Sequence, residues 1–403
     1  MGWMVRLVLC VALFPTVSAL NADKKSRHNG NSIAKSFAGN TGNQWNMIND
    51  SQQNISRHLS RYGRNVSHLS QPSVINVTVS DAAKLYLMGS WTTIVIPFVY
   101  TFTFTASLPL NLLAILIFLL KMPLTNPAVI YMINLASADL LFVLTLPLKI
   151  TYHFSGNDWG FGSFLCRLVT GGFYAYMYCS VLLMMCISID RFLSVVYPIR
   201  SATWRTRGRT VVICLVVWLV AIGGTIPLFL TEQTVYVTEL GITTCHDVLP
   251  LATLQSYSIY YFPILCFLLF VIPLLVTSFC YGCIISTLHV ANKTNQYGKS
   301  RAYFLATIVL SVFIICFTPT NVILLIHYIN FYHAPSDSLY FAYMLCVSIG
   351  SMSCCLDPLI YYYVSSIFKS RLQILLYPME SDSSQVKQQT TPNHCNYSKI
   401  NIN

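Results

Sequence analysis

Three acidic residues stand where an acid is hardest to keep. Asp139 lies in Asn134-Leu-Ala-Ser-Ala-Asp139, Asp357 in Asp357-Pro-Leu-Ile-Tyr361, and Asp190 beside Arg191 in Asp190-Arg-Phe192, each within or closing a long apolar run. An ionisable group at membrane depth costs several kcal/mol unless a cavity or a partner receives it, so each position reads as functional. Asp139 and Asp357 together would bring two carboxylates into one apolar bundle, which requires a cation or a proton between them. Arg191 can be held by Asp190 and, once released, can hydrogen-bond backbone carbonyls of another protein. Tyr281 and Tyr361 supply hydroxyls suited to holding the released arrangement. This is the chemistry of a two-state switch. No enzyme constellation accompanies it, and the serines and histidines of the outer segments read as ordinary loop residues.

The elements that position these groups follow from composition. Hydrophobic residues make up 55% of the chain and charged residues 9%, against about 25% charged in soluble domains. Runs of roughly 20 apolar residues are needed to cross a bilayer core, and seven are present, at 93 to 120, 128 to 152, 163 to 190, 211 to 230, 257 to 287, 303 to 330 and 339 to 364. They are too long and too uniformly apolar for barrel strands, so the predicted fold is an all-α, seven-transmembrane helix bundle.

Ahead of them, Arg6, the apolar Leu7 to Phe14 and the small residues of Val17-Ser-Ala19 predict a signal peptide over 1–19, with an uncleaved signal anchor as the alternative. An outer N-terminus then puts Lys121, Arg191, Arg200, Arg205, Arg207, Arg209, Lys293, Lys299, Arg301, Lys369 and Arg371 inside, and Asp158, Glu232, Glu239, Asp247 and Asp337 outside. The net charge of +11 is thereby explained by a cytoplasmic face meeting membrane lipid and partner protein, with no nucleic acid. Sequons at Asn49, Asn54, Asn65 and Asn76 predict glycosylation of the outer segment.

Most of the 14 cysteines sit in the spans as small apolar fillers. Cys166, at the outer start of the third span, and Cys245, in the second outer loop, share the oxidising side, and a bridge between them is expected. Zinc-type Cys/His spacing is missing from the exposed segments, so no metal cofactor is expected there.

Taken in order, Asn111, Asp139, Cys166, Asp190-Arg191, Trp218, Pro273, Cys316-Phe-Thr-Pro319 and Asp357-Pro358-x-x-Tyr361 resemble the fingerprint of the rhodopsin-like, G-protein-coupled receptors across all seven spans. Phe192, Phe317 and Asp357 depart from the commoner tyrosine, tryptophan and asparagine. The resemblance implies coupling to heterotrimeric G proteins through Arg191, with Phe317, Pro319 and Pro358 in the switch. It also implies an allosteric sodium ion on Asp139, Asp357 and Ser180; a protonated, hydrogen-bonded acid pair is the alternative.

A closer resemblance lies in the outer loops, where Ile242-Thr-Thr-Cys-His-Asp-Val-Leu249 and Phe154-Ser-Gly-Asn-Asp-Trp-Gly-Phe161 are similar to the protease-activated, or thrombin, receptors. Ile315-Cys-Phe-Thr-Pro-Thr-Asn321 and Asp357-Pro-Leu-Ile-Tyr-Tyr-Tyr363 support it, over residues 90 to 368. Such receptors need a basic residue followed by a short agonist whose amine is freed by the cut. Lys35, followed by Ser36, Phe37, Ala38, Gly39 and Asn40, fits. Of the bases in this segment, Lys35 alone is followed by Ser-Phe, although it could also be one base among several in a disordered stretch. Thr243, Thr244, His246 and Asp247 are then expected to form the ligand-binding loop, with Asp247 either the ammonium acceptor or a solvated loop acid.

About 55 residues separate Ser36 from the first span, an r.m.s. reach of ~40 Å for a flexible chain. Tethering at near-millimolar effective concentration makes a weak ligand sufficient. The expected division is 20–35 released, 36–90 tethered ligand and flexible linker, 91–364 the bundle, and 365–403 a cytoplasmic amphipathic helix and tail.

The resemblance implies a trypsin-like serine protease such as thrombin as activator, Gq-type signalling through phospholipase C and calcium, arrestin as a further partner, and a setting in blood coagulation and hemostasis. Ala34 in place of proline before the cut, and Asp50 as the one acid between Thr41 and Asn54, leave proteases other than thrombin open. A retinal sensor is excluded because 339 to 364 contains no lysine, and a transporter because no repeats pair the halves. The rival readings are a receptor for a soluble peptide, nucleotide or lipid, and a non-signalling protease cofactor; intact Asp190-Arg191 and Asp357-Pro358 oppose the second.

Overall fold

The structure, a computed structural model, describes residues 76–250, 258–290, 296–331 and 337–364, with positions 368–370 and 372 beyond them. Seven helices long and apolar enough to span a membrane run over Asp81–Lys121, Pro127–Phe154, Gly162–Val196, Arg207–Leu230, Ile259–His289, Tyr303–Asn330 and Asp337–Tyr363. Several outlast the apolar runs that announce them. The third continues six residues past Asp190, and the fourth begins at Arg207 rather than 211. Hydropathy marks where lipid ends, whereas a helix ends where its hydrogen bonds run out or are capped.

Prolines shape three helices in the same way. Five-residue π turns at Trp91–Val95, Phe267–Val271 and Phe313–Phe317 each end two residues before a proline, Pro97, Pro273 and Pro319. Proline cannot donate to the carbonyl four residues back, and its ring crowds that carbonyl; one wide turn relieves both problems. In the sixth helix the Thr318 hydroxyl adds a 2.8 Å bond to the Phe313 carbonyl.

The third helix is the axis of the bundle. From Tyr174 to Ser188 every side chain but Met185 is buried, which is why it lacks an amphipathic stripe. Outer helices turn apolar side chains outward, with Leu119, Leu219, Leu275 and Phe279 all exposed, as lipid-facing positions should be.

The outer end holds a three-stranded sheet. β1 (Asn76–Val77) runs parallel to β2 (Thr234–Val237), which is antiparallel to β3 (Ile242–Cys245), with Asn76 opposite Tyr236 and Thr234 opposite Cys245. Helix α1 (Asp81–Met88) follows β1, capped by the Ser80 hydroxyl on Ala83 N at 3.0 Å.

This is a correction to the expected flexible linker over 36–90, because its last residues are strand and helix docked on two loops. Lys84 pairs with Glu239 at 2.8 Å, Ser80 donates to Asp337, the Asn157 amide donates to the Leu87 carbonyl, and Tyr86 stacks on Phe341 at 4.5 Å. Only about 40 residues then lie between Ser36 and the docked strand. Asn76 is exposed on β1. The expected signal peptide, Lys35 to Asn40, the sequons at Asn49, Asn54 and Asn65, and most of the 365–403 segment lie outside the described residues.

Candidate functional site

The second outer loop is closed by three devices. A disulfide joins Cys166 to Cys245, with Cα atoms 5.6 Å apart. Trp159 N donates to the Thr243 carbonyl at 2.7 Å, and Thr243 N donates to Asp158 Oδ1 at 2.8 Å. The chain then turns at His246, whose φ of 72° is in the left-handed region unusual for a residue with a side chain. Its amide donates to the Gln233 carbonyl at 2.8 Å and its Nδ1 meets Gln233 Oε1 at 2.8 Å. That pairing makes Nδ1 the donor and Nε2 the acceptor, which faces the Tyr174 hydroxyl at 3.4 Å. Burial above all, then the charge of Lys149, push His246 down to about 4, against the pull of Asp247.

This turn delivers His246 and Asp247 into a cavity at the outer end of the bundle, lined also by Tyr100, Lys149, His153, Tyr174 and Tyr340. Asp247 is 6% exposed and no solvated loop acid. Tyr152 donates to its Oδ2 at 2.6 Å and Tyr340 to its Oδ1 at 3.3 Å. Each carboxylate oxygen keeps a second lone pair, so Asp247 can still accept from a ligand cation. Lys149, Tyr152 and His153 come from a break in the second helix between Val143 and Leu146, where Pro147 has no N–H for the Val143 carbonyl. Thr243 and Thr244 do not line the cavity: they pair with Tyr236 and Val235 in the sheet, and Thr244 is fully buried.

Deeper in the bundle the polar residues gather. Asn111 donates to the Cys354 carbonyl at 2.9 Å, and the Tyr361 hydroxyl reaches Asp139 Oδ2 at 3.3 Å and Asn111 Oδ1 at 3.5 Å. Asp139, Ser180 and Asp357 are wholly buried, and Asp139 Oδ1, Ser180 Oγ and both Asp357 carboxylate oxygens meet no hydrogen-bond donor among the described residues. Orphaned oxygens of this kind suit a hard monovalent cation, so the residues present fit the implied sodium ion. Phe317, 2% exposed, packs edge-on to Phe313 just above. Tyr281 is buried as well. Pro319 follows the π turn of the sixth helix, and Pro358 interrupts the last turns of the seventh.

At the inner end the expected pairing of Asp190 with Arg191 is present, and Asp190 shares it with a second base, Arg205. Arg205 takes both Asp190 oxygens, Nε to Oδ1 at 2.7 Å and Nη2 to Oδ2 at 2.8 Å, while Arg191 stands at 3.4 Å. The two parallel bonds make Arg205 the stronger partner, with Arg191 as a single longer contact on the same carboxylate. Helix α2 (Pro198–Trp204) precedes Arg205 and brings it back under the third helix.

Sequence reasoning thus missed Arg205, Lys149, Tyr152 and Tyr340. Lys149 carried the same signal as Asp139, a charge in an apolar run. Arg205 looked like one more base on the inner face.

The family described as 7 transmembrane receptor (rhodopsin family) matches residues 110–361. Proteinase-activated receptor 1 of Cricetulus longicaudatus is 52% identical over 318 residues, 79% of this chain and 74% of that protein. Its counterpart in Homo sapiens is 53% identical over 289 residues, 72% and 68% of the two chains. Proteinase-activated receptor 3 of Rattus norvegicus is 40% identical over 304 residues, 74% and 80%.

Proposed function

This chain belongs to the rhodopsin family of seven-transmembrane receptors and, within it, to the proteinase-activated receptors, and from that membership we propose how its own residues turn a cut into a signal. A trypsin-like protease cuts after Lys35, and the liberated Ser36 to Asn40 folds back as tethered agonist. Residues 20–35 are released, and 36 to 75 form the tether that ends on β1.

The observation that carries this reading is Asp247, a buried carboxylate at the cavity wall held by Tyr152 and Tyr340. A carboxylate placed so is an acceptor for an ammonium, and proteolysis creates one on Ser36. A charge-assisted hydrogen bond of this kind contributes about 1.5 to 3 kcal/mol.

Agonist binding under the second outer loop is read below by the polar residues. Asp139, Ser180 and Asp357 hold a sodium ion in the resting state, and that ion would supply positive charge to two buried carboxylates. At the inner end Arg191 is freed to meet a heterotrimeric G protein of the Gq type. Arrestin, and anionic lipid at the exposed Arg200, Arg207 and Arg209, complete the partners.

Sequencing the new N-terminus on protease-treated cells tests the cut. Ser-Phe-Ala-Gly-Asn as the first residues supports the proposal; any other start moves the agonist elsewhere.

A further inference from the structure

Lys149 brings an amine to the wall of the outer cavity. Its ammonium lies 5.4 Å from the centre of the Tyr152 ring, and among the described residues no carboxylate, carbonyl or hydroxyl takes up its protons. An ammonium has three protons to donate, and withdrawing them from water without a partner is costly. A cation–π contact offsets part of that and leaves all three N–H bonds available.

The same tyrosine carries the opposite charge at its other end, since the Tyr152 hydroxyl donates to Asp247 at 2.6 Å. Lys149 and Asp247 both line the cavity, and the Tyr152 ring behind its wall is in contact with each. The first residue of a peptide has a complementary pair, an ammonium and a carbonyl oxygen about 3 Å apart; with a hydrogen bond of about 2.9 Å at each end it spans roughly 9 Å. No internal residue of a peptide has that pair, because its nitrogen is an uncharged amide.

We propose that Lys149 is a binding subsite for the carbonyl oxygen of the agonist's first residue, acting with Asp247, which takes that residue's ammonium. This rests on the tethered-agonist reading above. Lys149 is thus a specificity-determining residue: together the two charges select a free peptide N-terminus over a simple amine, which has no carbonyl, and over an acylated chain, which has no ammonium.

The test uses cells displaying the full receptor and two free peptides. One is Ser-Phe-Ala-Gly-Asn, and the other is the same peptide with the first carbonyl oxygen replaced by sulfur, a weaker acceptor. On the parent receptor the sulfur peptide should lose ~10-fold in potency, and on Lys149→Met the oxygen peptide should lose ~10- to 100-fold.

On Lys149→Met the two peptides should be equipotent, because the group that distinguishes them is gone. Lys149→Gln, with a neutral donor, should fall between and serves if Lys149→Met does not reach the surface. Losses that multiply, or a Lys149→Met receptor as sensitive as the parent, overturn the subsite while leaving the tethered-agonist reading intact. A parent receptor silent to the oxygen peptide overturns that reading, and the subsite with it.

Discussion

Tyr152 and Asp247 are joined by a 2.6 Å hydrogen bond that ties the outer end of the second helix to the residue two places beyond the loop disulfide. The bond explains how an acid can be nearly buried at the mouth of a receptor. It also links the ligand pocket to a helix that carries Asp139 lower down.

Asp247→Asn should keep the loop folded, because an amide oxygen still accepts from Tyr152, and should remove the charge. Potency of the Ser-Phe-Ala-Gly-Asn peptide in a calcium assay is expected to fall ~10- to 100-fold. Acetylating the peptide amine should cost as much on the parent and little more on Asp247→Asn. Equal sensitivity of the two receptors to the free peptide would remove Asp247 from recognition.

The Asp190–Arg205 pair makes an unusual prediction for the inner end. With Arg205 removed, Asp190 has only Arg191 to hold, so Arg205→Ala should lower maximal G-protein activation at unchanged surface expression. Adding Asp190→Asn should restore it, since the carboxylate charge that holds Arg191 is then gone. Arg191→Ala should abolish activation in either background. A rise in basal signalling from Arg205→Ala alone would reverse the assigned role.

If a sodium ion rests on Asp139, Ser180 and Asp357, replacing sodium by a large organic cation should raise peptide potency, because a ligand shifts a two-state equilibrium only by its differential affinity. Asp139→Asn and Asp357→Asn should each weaken that salt effect. Potency indifferent to sodium in the parent would favour a proton-sharing pair.

His246 gives a pH dependence with a definite sign. Its value is pushed below the usual 6.5 to about 4. The unfolded loop therefore binds a proton that the folded loop refuses, and stability falls as pH drops from about 6.5 towards 4, then levels off. Lys149 and Asp247 are the charges facing it, with Tyr174, Tyr340 and Gln233 as polar neighbours. Melting temperature of the detergent-solubilised receptor should fall between pH 7 and 5, and His246→Asn should flatten that slope. A parent profile no steeper than the mutant's would contradict the assignment.

Much of this was legible beforehand, for reasons specific to each residue. Asp139 and Asp357 announced themselves because charge in an apolar run is conspicuous, and Cys166 and Cys245 because they lay on the oxidising side. The docked segment was not legible: Ser80 before Asp81 is an ordinary helix-start signal, but its partners Glu239 and Asp337 lie far along the chain. Register between Asn76 and Tyr236 is likewise a tertiary fact. Arg205 was hidden among bases that all satisfied the charge rule for inner loops. Thr243 and Thr244 were assigned to the ligand because they share a loop string with His246 and Asp247; their pairing with Tyr236 and Val235 places them in the sheet instead.

The central claim is that a cut after Lys35 makes the agonist, and the Lys35→Ala receptor tests it most directly. Cells displaying it should give no calcium response to a trypsin-like protease that activates the parent, yet respond to free Ser-Phe-Ala-Gly-Asn with the parent's potency. A normal protease response from Lys35→Ala, or a peptide silent on both receptors at millimolar concentration, would contradict the account.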